Sequence, residues 1–179
     1  MPGLGRLAVT AMLATACTAT APALPAFTLT NQSGQVVRAD DLRGRAAVVN
    51  FIFTTCVDVC PLVTAQLVRI QTRLVSDGLG ARVRFVSITV DPAIDTPPAL
   101  QRYATAYGAN LASWDFLTGP ASDIDRLTRE VGVVTGTGGR IGHTNLLLFV
   151  DTTGRIVARD TSVELDPERM LPKIRRLLG

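Results

Sequence analysis

The chain has 179 residues, of which 47% are hydrophobic and 18% charged, enough apolar material for one packed domain and too much for a disordered chain. Its formal net charge of +3 comes from 18 Lys and Arg against 15 Asp and Glu. The arginines are scattered without a basic run, so nucleic acid is excluded as an expected partner.

Residues 1–26, MPGLGRLAVTAMLATACTATAPALPA, carry one charge, Arg6, followed by a mild apolar stretch and then small residues and prolines. That order reads as an export signal with a short linker. Leu7 to Ala16 falls well short of the roughly 20 apolar residues of a spanning helix. The stretch LATAC resembles the lipobox of bacterial lipoproteins, which makes Cys17 a lipidation candidate and gives the protein a route to a membrane surface; simple cleavage near TAPALPA is the alternative. Either reading places the working domain over 27–179, in the periplasm or on the outer face of the cytoplasmic membrane. That compartment is oxidising, and free thiols there need a reason to stay reduced.

From Phe27, FTLTNQSGQVVR reads as two short strands about a polar turn, a β-hairpin. AVVNFIF (47–53) is a nearly continuous apolar strand suited to the middle of a sheet. After Pro61, a good first-turn residue, Val63, Leu67, Ile70 and Leu74 recur at helical spacing. VRFVSITV (83–90) predicts a second strand, and Thr96 followed by Pro97 starts a helix carrying Leu100, Tyr103, Ala104 and Tyr107. Trp114 and the following LTG are expected to serve core packing. A third helix presents Ile124, Leu127 and Val131; NLLLFVDTTGRIVARDT predicts two strands around a DTTG turn; DPERMLPKIRRLLG closes the chain as a helix, with a kink or a late start at Pro172. The order predicts an α/β, thioredoxin-like fold with an N-terminal β-hairpin extension.

In that layout the first long strand delivers Cys56 to the end of the sheet, and a helix begins around Cys60. A helix N-terminus stabilises thiolates through its dipole and unpaired N–H groups. A structural disulfide closing so small a loop adds little chain-entropy stabilisation, which leaves a redox dithiol or part of a metal site. The single histidine of the chain, His143, lies just before a strand expected to run antiparallel to the first, and so near the same sheet end. An exposed loop histidine is the bland alternative. No proline occurs between Pro120 and Pro167, where thioredoxin-like oxidoreductases carry one before this strand. Two thiolates and an imidazole suit copper: sulfur favours Cu(I), and imidazole helps hold Cu(II). A closed structural zinc site would want a fourth ligand.

FTTCVDVCP, SITVDPAIDTP, WDFLTG and GHTNLLLFVD, in this order and spacing, resemble the motifs of the Sco/SenC family of copper-binding proteins. The resemblance runs from about Phe27 to the C-terminus. It implies a thioredoxin fold, copper held by Cys56, Cys60 and His143, and a copper chaperone that helps mature the dinuclear copper centre of cytochrome c oxidase. The implied partners are the copper-bearing oxidase subunit, or another copper protein, and a thiol reductant. The chain differs from the family pattern in its short glycine-rich VTGTGGRI loop and in Gly142 beside the histidine. Asp58 and Asp91 also match family positions. Asp58 is read as screening the approach to the site or as an exposed turn carboxylate, and Asp91 as fixing the loop beside the cysteines or as a turn residue. A second function uses the same cysteines: a thiol–disulfide oxidoreductase that reduces the cysteines of the acceptor's copper site, with Cys56 and Cys60 as its redox-active pair.

Overall fold

The computed structural model describes residues 21–134 and 144–179. β1 (Thr28–Asn31) and β2 (Val36–Arg38) form the expected hairpin. Asn31 closes its turn by accepting the Ser33 and Gln35 N–H groups at 3.0 and 2.9 Å, and Gly34 supplies the positive φ of 78°. There follow β3 (Ala46–Ile52), α1 (Val59–Ser76), β4 (Val83–Thr89), α2 (Pro97–Tyr107), β5 (Trp114–Thr118), α3 (Ala121–Val131), β6 (Leu147–Val150), β7 (Ile156–Asp160) and α4 (Pro167–Arg176). The strands join in one sheet of order β2-β1-β5-β4-β3-β6-β7. β3, β4 and β5 are parallel; β1 pairs antiparallel with β5 on one side, and on the other β6 pairs antiparallel with β3 and β7 antiparallel with β6.

Alternation along β3 divides the core. Ala46, Val48 and Ile52 face α1, α2 and α4 with Leu67, Leu100 and Met170; Ala47, Val49 and Phe51 face α3 and the N-terminal hairpin with Leu127 and Leu29. Every residue of β3 is buried, as a central parallel strand requires.

The sequence reading assigns Trp114 to the core but does not identify β5 as a strand. Trp114 is fully buried, and its indole N–H donates to Ser87 Oγ at 2.9 Å, which in turn donates to Asn50 Oδ1 at 2.7 Å. Asp115 interrupts the apolar run that would have marked the strand. It is buried because Arg84 of neighbouring β4 pairs with it and Asn31 of β1 donates to it at 3.0 Å. Of the kink or late start expected at Pro172, the late start does not occur. α4 begins at Pro167, capped by Asp166, which accepts the Glu168 N–H at 3.0 Å, and it carries Pro172 within it.

Packing reaches upstream of Phe27. Ala23 bridges Arg155, the Leu24 N–H donates to Gly154 O at 2.9 Å, Ile156 N–H donates to Pro22 O at 2.8 Å, and Leu24 is buried in the α3-side core. Cys17 and the rest of the leader up to residue 20 lie outside the described residues. No described helix is long and apolar enough to cross a membrane.

Candidate functional site

The parallel strands β3 and β4 end together, with Ile52 paired to Thr89. Beyond Ile52 the chain turns sharply, Cys56 N–H donating to Phe53 O at 3.2 Å, and α1 begins at Val59. Cys60, the second residue of the helix, is buried, whereas Cys56 in the preceding loop is half-buried. They are not joined in a disulfide. The Cys60 N–H, in the first turn of the helix, points at Cys56 Sγ from 3.5 Å.

The two thiols are driven apart electrostatically. Burial pulls the Cys56 thiol upward, but the backbone N–H groups of Asp58, Cys60 and Val59, together with the Cys60 thiol, outweigh it and hold Cys56 below its ordinary value. Cys60 is pushed up to about 12, first by burial and then by the hydrogen bond and charge of Cys56, against an opposing contribution from the Phe53 backbone. Cys56 at the mouth therefore ionises more readily than Cys60, which keeps its proton more tightly.

Asp58 is exposed at the N-cap position of α1, and its side chain makes no capping bond; it acts on Cys56 through its backbone N–H. Asp91 is buried after β4. Its N–H donates to Thr89 Oγ1 at 2.9 Å, its carbonyl accepts from Ile94 and Asp95, and burial followed by the Asp95 charge raises its carboxyl above the ordinary value. The carboxylate that reaches the cysteine loop is that of Asp95, a residue the sequence reading did not single out. Asp95 is fully buried and accepts the Thr54 N–H at 3.1 and 3.2 Å, the Thr54 hydroxyl at 2.5 Å and the Thr89 hydroxyl at 2.5 Å. Two acids four residues apart in one turn carry no sequence signal for which of them points inward.

His143 lies outside the described residues. The strand after it runs as expected: β6 is antiparallel to β3, with Asn50 opposite Leu147, so β6 starts at the sheet end where β3 delivers Cys56. The two ends of the intervening segment are tied together, Thr144 N–H donating to Val134 O at 3.2 Å and Val134 N–H to Thr144 Oγ1 at 3.3 Å. Among the described residues no group of three or more His, Cys, Asp or Glu side chains converges on one point, which leaves the two thiols as the soft donors in view. A cleft of about 540 Å³ between β7 and α4, lined by Phe149, Val157, Lys173 and Leu177, includes no residue of the cysteine loop.

The family model described as SCO1/SenC matches residues 15–179. The chain belongs to that family. An SCO1 protein homolog of Bacillus subtilis is 39% identical over 93 residues, 52% of this chain and 47% of its own length, so the match spans about half of that relative. Among solved structures, BsSco, described as a member of the Sco family of cytochrome c oxidase assembly proteins with a disulfide switch, superposes with a TM-score of 0.77 at 26% identity, over 88% of this chain and 94% of its own. Bradyrhizobium japonicum ScoI with copper bound superposes with a TM-score of 0.71 at 26% identity, over 88% of this chain and all of its own. This SCO1/SenC chain thus shares with them the thioredoxin-like sheet and its helices.

Proposed function

We propose that this SCO1/SenC protein is an exported copper chaperone that carries copper on Cys56, Cys60 and His143 and delivers it by ligand exchange to the copper-bearing subunit of cytochrome c oxidase. The observation that carries the reading is the pair of thiols at the start of α1, not joined in a disulfide, the half-buried one ionising more readily than an ordinary thiol. Copper as cargo suits this donor set, because two sulfurs meet the preference of Cu(I) and displace their protons on binding. The copper-bound ScoI structure and the oxidase-assembly description of BsSco support the cargo and the acceptor. His143 enters as the third ligand through its position before β6, which begins at the same sheet end. Membrane attachment through a lipid on Cys17 rests on the LATAC motif. The packing of Pro22 and Leu24 against the β6–β7 turn and β7 supports processing upstream of residue 21 rather than at the end of the leader.

The test is the copper stoichiometry and absorption spectrum of the reduced protein. One copper per chain, with a sulfur-to-copper charge-transfer band in the Cu(II) form, is the expected result; substoichiometric binding without such a band overturns the reading.

A second reading is favoured by the unequal thiols. With Cys56 ionised more readily than Cys60, Cys56 is the thiol suited to attack a disulfide of the acceptor, and Cys60 the one suited to resolve the mixed disulfide, which leaves the acceptor's cysteines reduced and this pair oxidised. A thiol reductant then restores the pair. Reduction of an acceptor-site disulfide by the reduced protein, at one Cys56–Cys60 disulfide formed per disulfide opened, distinguishes this reading from copper delivery alone.

A further inference from the structure

Asp95 occupies an unusual place for a carboxylate. It is fully buried, it lies in the loop between β4 and α2, and it has no arginine or lysine partner among the described ion pairs. An unpaired buried charge is retained only where hydrogen bonds compensate for lost hydration. Here the compensating donors converge from two other segments. Thr89 at the end of β4 gives its hydroxyl, and Thr54 gives both its hydroxyl and its backbone N–H. Thr54 is the first inner residue of the turn that Cys56 closes on Phe53. One residue, Thr55, separates the anchored Thr54 from Cys56, whose Sγ lies 3.5 Å from the Cys60 N–H.

We propose that Asp95 is the positioning residue of the thiol pair: its carboxylate clamps the turn at Thr54 and thereby holds Cys56 over the start of α1, with its Sγ within reach of the Cys60 N–H. Three otherwise separate features, the threonine after Phe53, the threonine ending β4 and the aspartate before the Thr96–Pro97 helix start, then form one device. It explains why FTTC and DPAIDTP belong together in a chain where they lie some forty residues apart. The carboxylate touches neither sulfur and acts through the backbone of the loop.

This inference rests on the Cys56–Cys60 pair being the working site of the proposed function, and its test needs no copper. Each variant is equilibrated with reduced and oxidised glutathione, where two glutathione thiols and the Cys56–Cys60 disulfide exchange for the dithiol and glutathione disulfide. The dithiol population is then read by mass after alkylation. Removing the clamp destabilises the arrangement in which Cys56 accepts the Cys60 N–H, so Asp95→Ala should move the equilibrium towards the disulfide by about tenfold, which for this couple is about 30 mV, and Thr54→Val, which loses the hydroxyl bond and keeps the N–H bond, should move it the same way by less. Asp95→Asn keeps one acceptor oxygen for the Thr54 N–H and should fall between Asp95→Ala and the native protein. Asn31→Ala breaks a comparable buried hydrogen bond to Asp115, outside the cysteine loop, and should leave the equilibrium in place. Should Asp95→Ala not fold, Thr54→Val decides alone. A native equilibrium in folded Thr54→Val, or an equal shift in Asn31→Ala, overturns the proposal. Copper affinity is measured separately: a shifted glutathione equilibrium without copper binding in the native protein rejects the chaperone reading and leaves the role of Asp95 standing.

Discussion

The backbone N–H of Cys60 reaches Cys56 Sγ at 3.5 Å, so the residue that holds its own thiol protonated also stabilises its neighbour's thiolate. Burial separates the two: Cys60, in the first turn of α1, is buried in the core, and Cys56, in the loop before the helix, is half-buried. The asymmetry has a direct chemical readout. With its pKa pushed up to about 12, Cys60 at pH 8 is ionised in on the order of one molecule in ten thousand, whereas Cys56 ionises more readily than an ordinary thiol. Iodoacetamide at that pH should label Cys56 first and almost exclusively. In Cys56→Ser the charge that raises Cys60 is gone, and Cys60 should label faster than in the native protein. Equal labelling of both thiols, resolved by peptide mass spectrometry, contradicts the described geometry.

Copper binding should depend on both sulfurs and, for one oxidation state, on the imidazole. Cys56→Ser or Cys60→Ser should abolish tight binding, since one thiolate cannot supply the soft bidentate grip. His143→Ala should weaken Cu(II) far more than Cu(I) and change the charge-transfer band, because two sulfurs satisfy linear Cu(I). An unaltered band in His143→Ala removes the imidazole from the ligand set. Copper at a thousandfold excess over Kd should stabilise the reduced native protein by about 4 kcal/mol in thermal unfolding, and oxidation of the pair should erase that gain.

The linker has a structural consequence that can be measured by truncation. A chain beginning at Phe27 loses the burial of Leu24 and the two backbone bonds to Gly154 and Ile156. These contacts offset the cost of ordering residues 21–26, so a chain beginning at Ala21 should show a higher urea unfolding midpoint than one beginning at Phe27. Superimposable unfolding curves for the two would show that the segment adds nothing.

Acid stability should report on Asp160. Its burial tends to raise its carboxyl, but the hydrogen bond from Lys173 at 2.7 Å and those from Ser162 outweigh this and bring it to about 2. Because the folded value lies below the ordinary 3.8, the contribution is present above pH 4 and is lost as the pH falls through 2. With Lys173 partly exposed, screening limits it to about 1–2 kcal/mol. Lys173→Met should flatten the loss of stability between pH 4 and 2, measured by urea midpoints across that range; an unchanged slope assigns the acid limb to other carboxylates.

Much of the fold is legible in the residues because its signals are local. The apolar run of β3, the helical spacing of Val63, Leu67, Ile70 and Leu74, and the Thr96–Pro97 start of α2 each specify an element without help from distant segments. β5 is illegible for a nonlocal reason. Asp115 looks like a break in an apolar stretch until Arg84 and Asn31, from two other strands, are placed against it. The early start of α4 shows the reverse case, in which a cap and a first-turn proline are strong enough locally to carry the helix through Pro172.

The sequence by itself determined the thiol pair, its place between a buried strand and a helix, and the antiparallel strand that follows the single histidine. Spacing and periodicity encode such features within a few turns of chain. Tertiary structure alone decided that Cys56 and Cys60 are unequal, and that Asp95 rather than Asp91 reaches the cysteine loop. Both outcomes depend on burial and on donors contributed by segments remote in sequence: the depth of Cys60 under the α1 side of the sheet, and the convergence of Thr54 and Thr89 on one carboxylate. Desolvation and hydrogen-bond direction are properties of the packed neighbourhood, and the order of residues along the chain does not contain them.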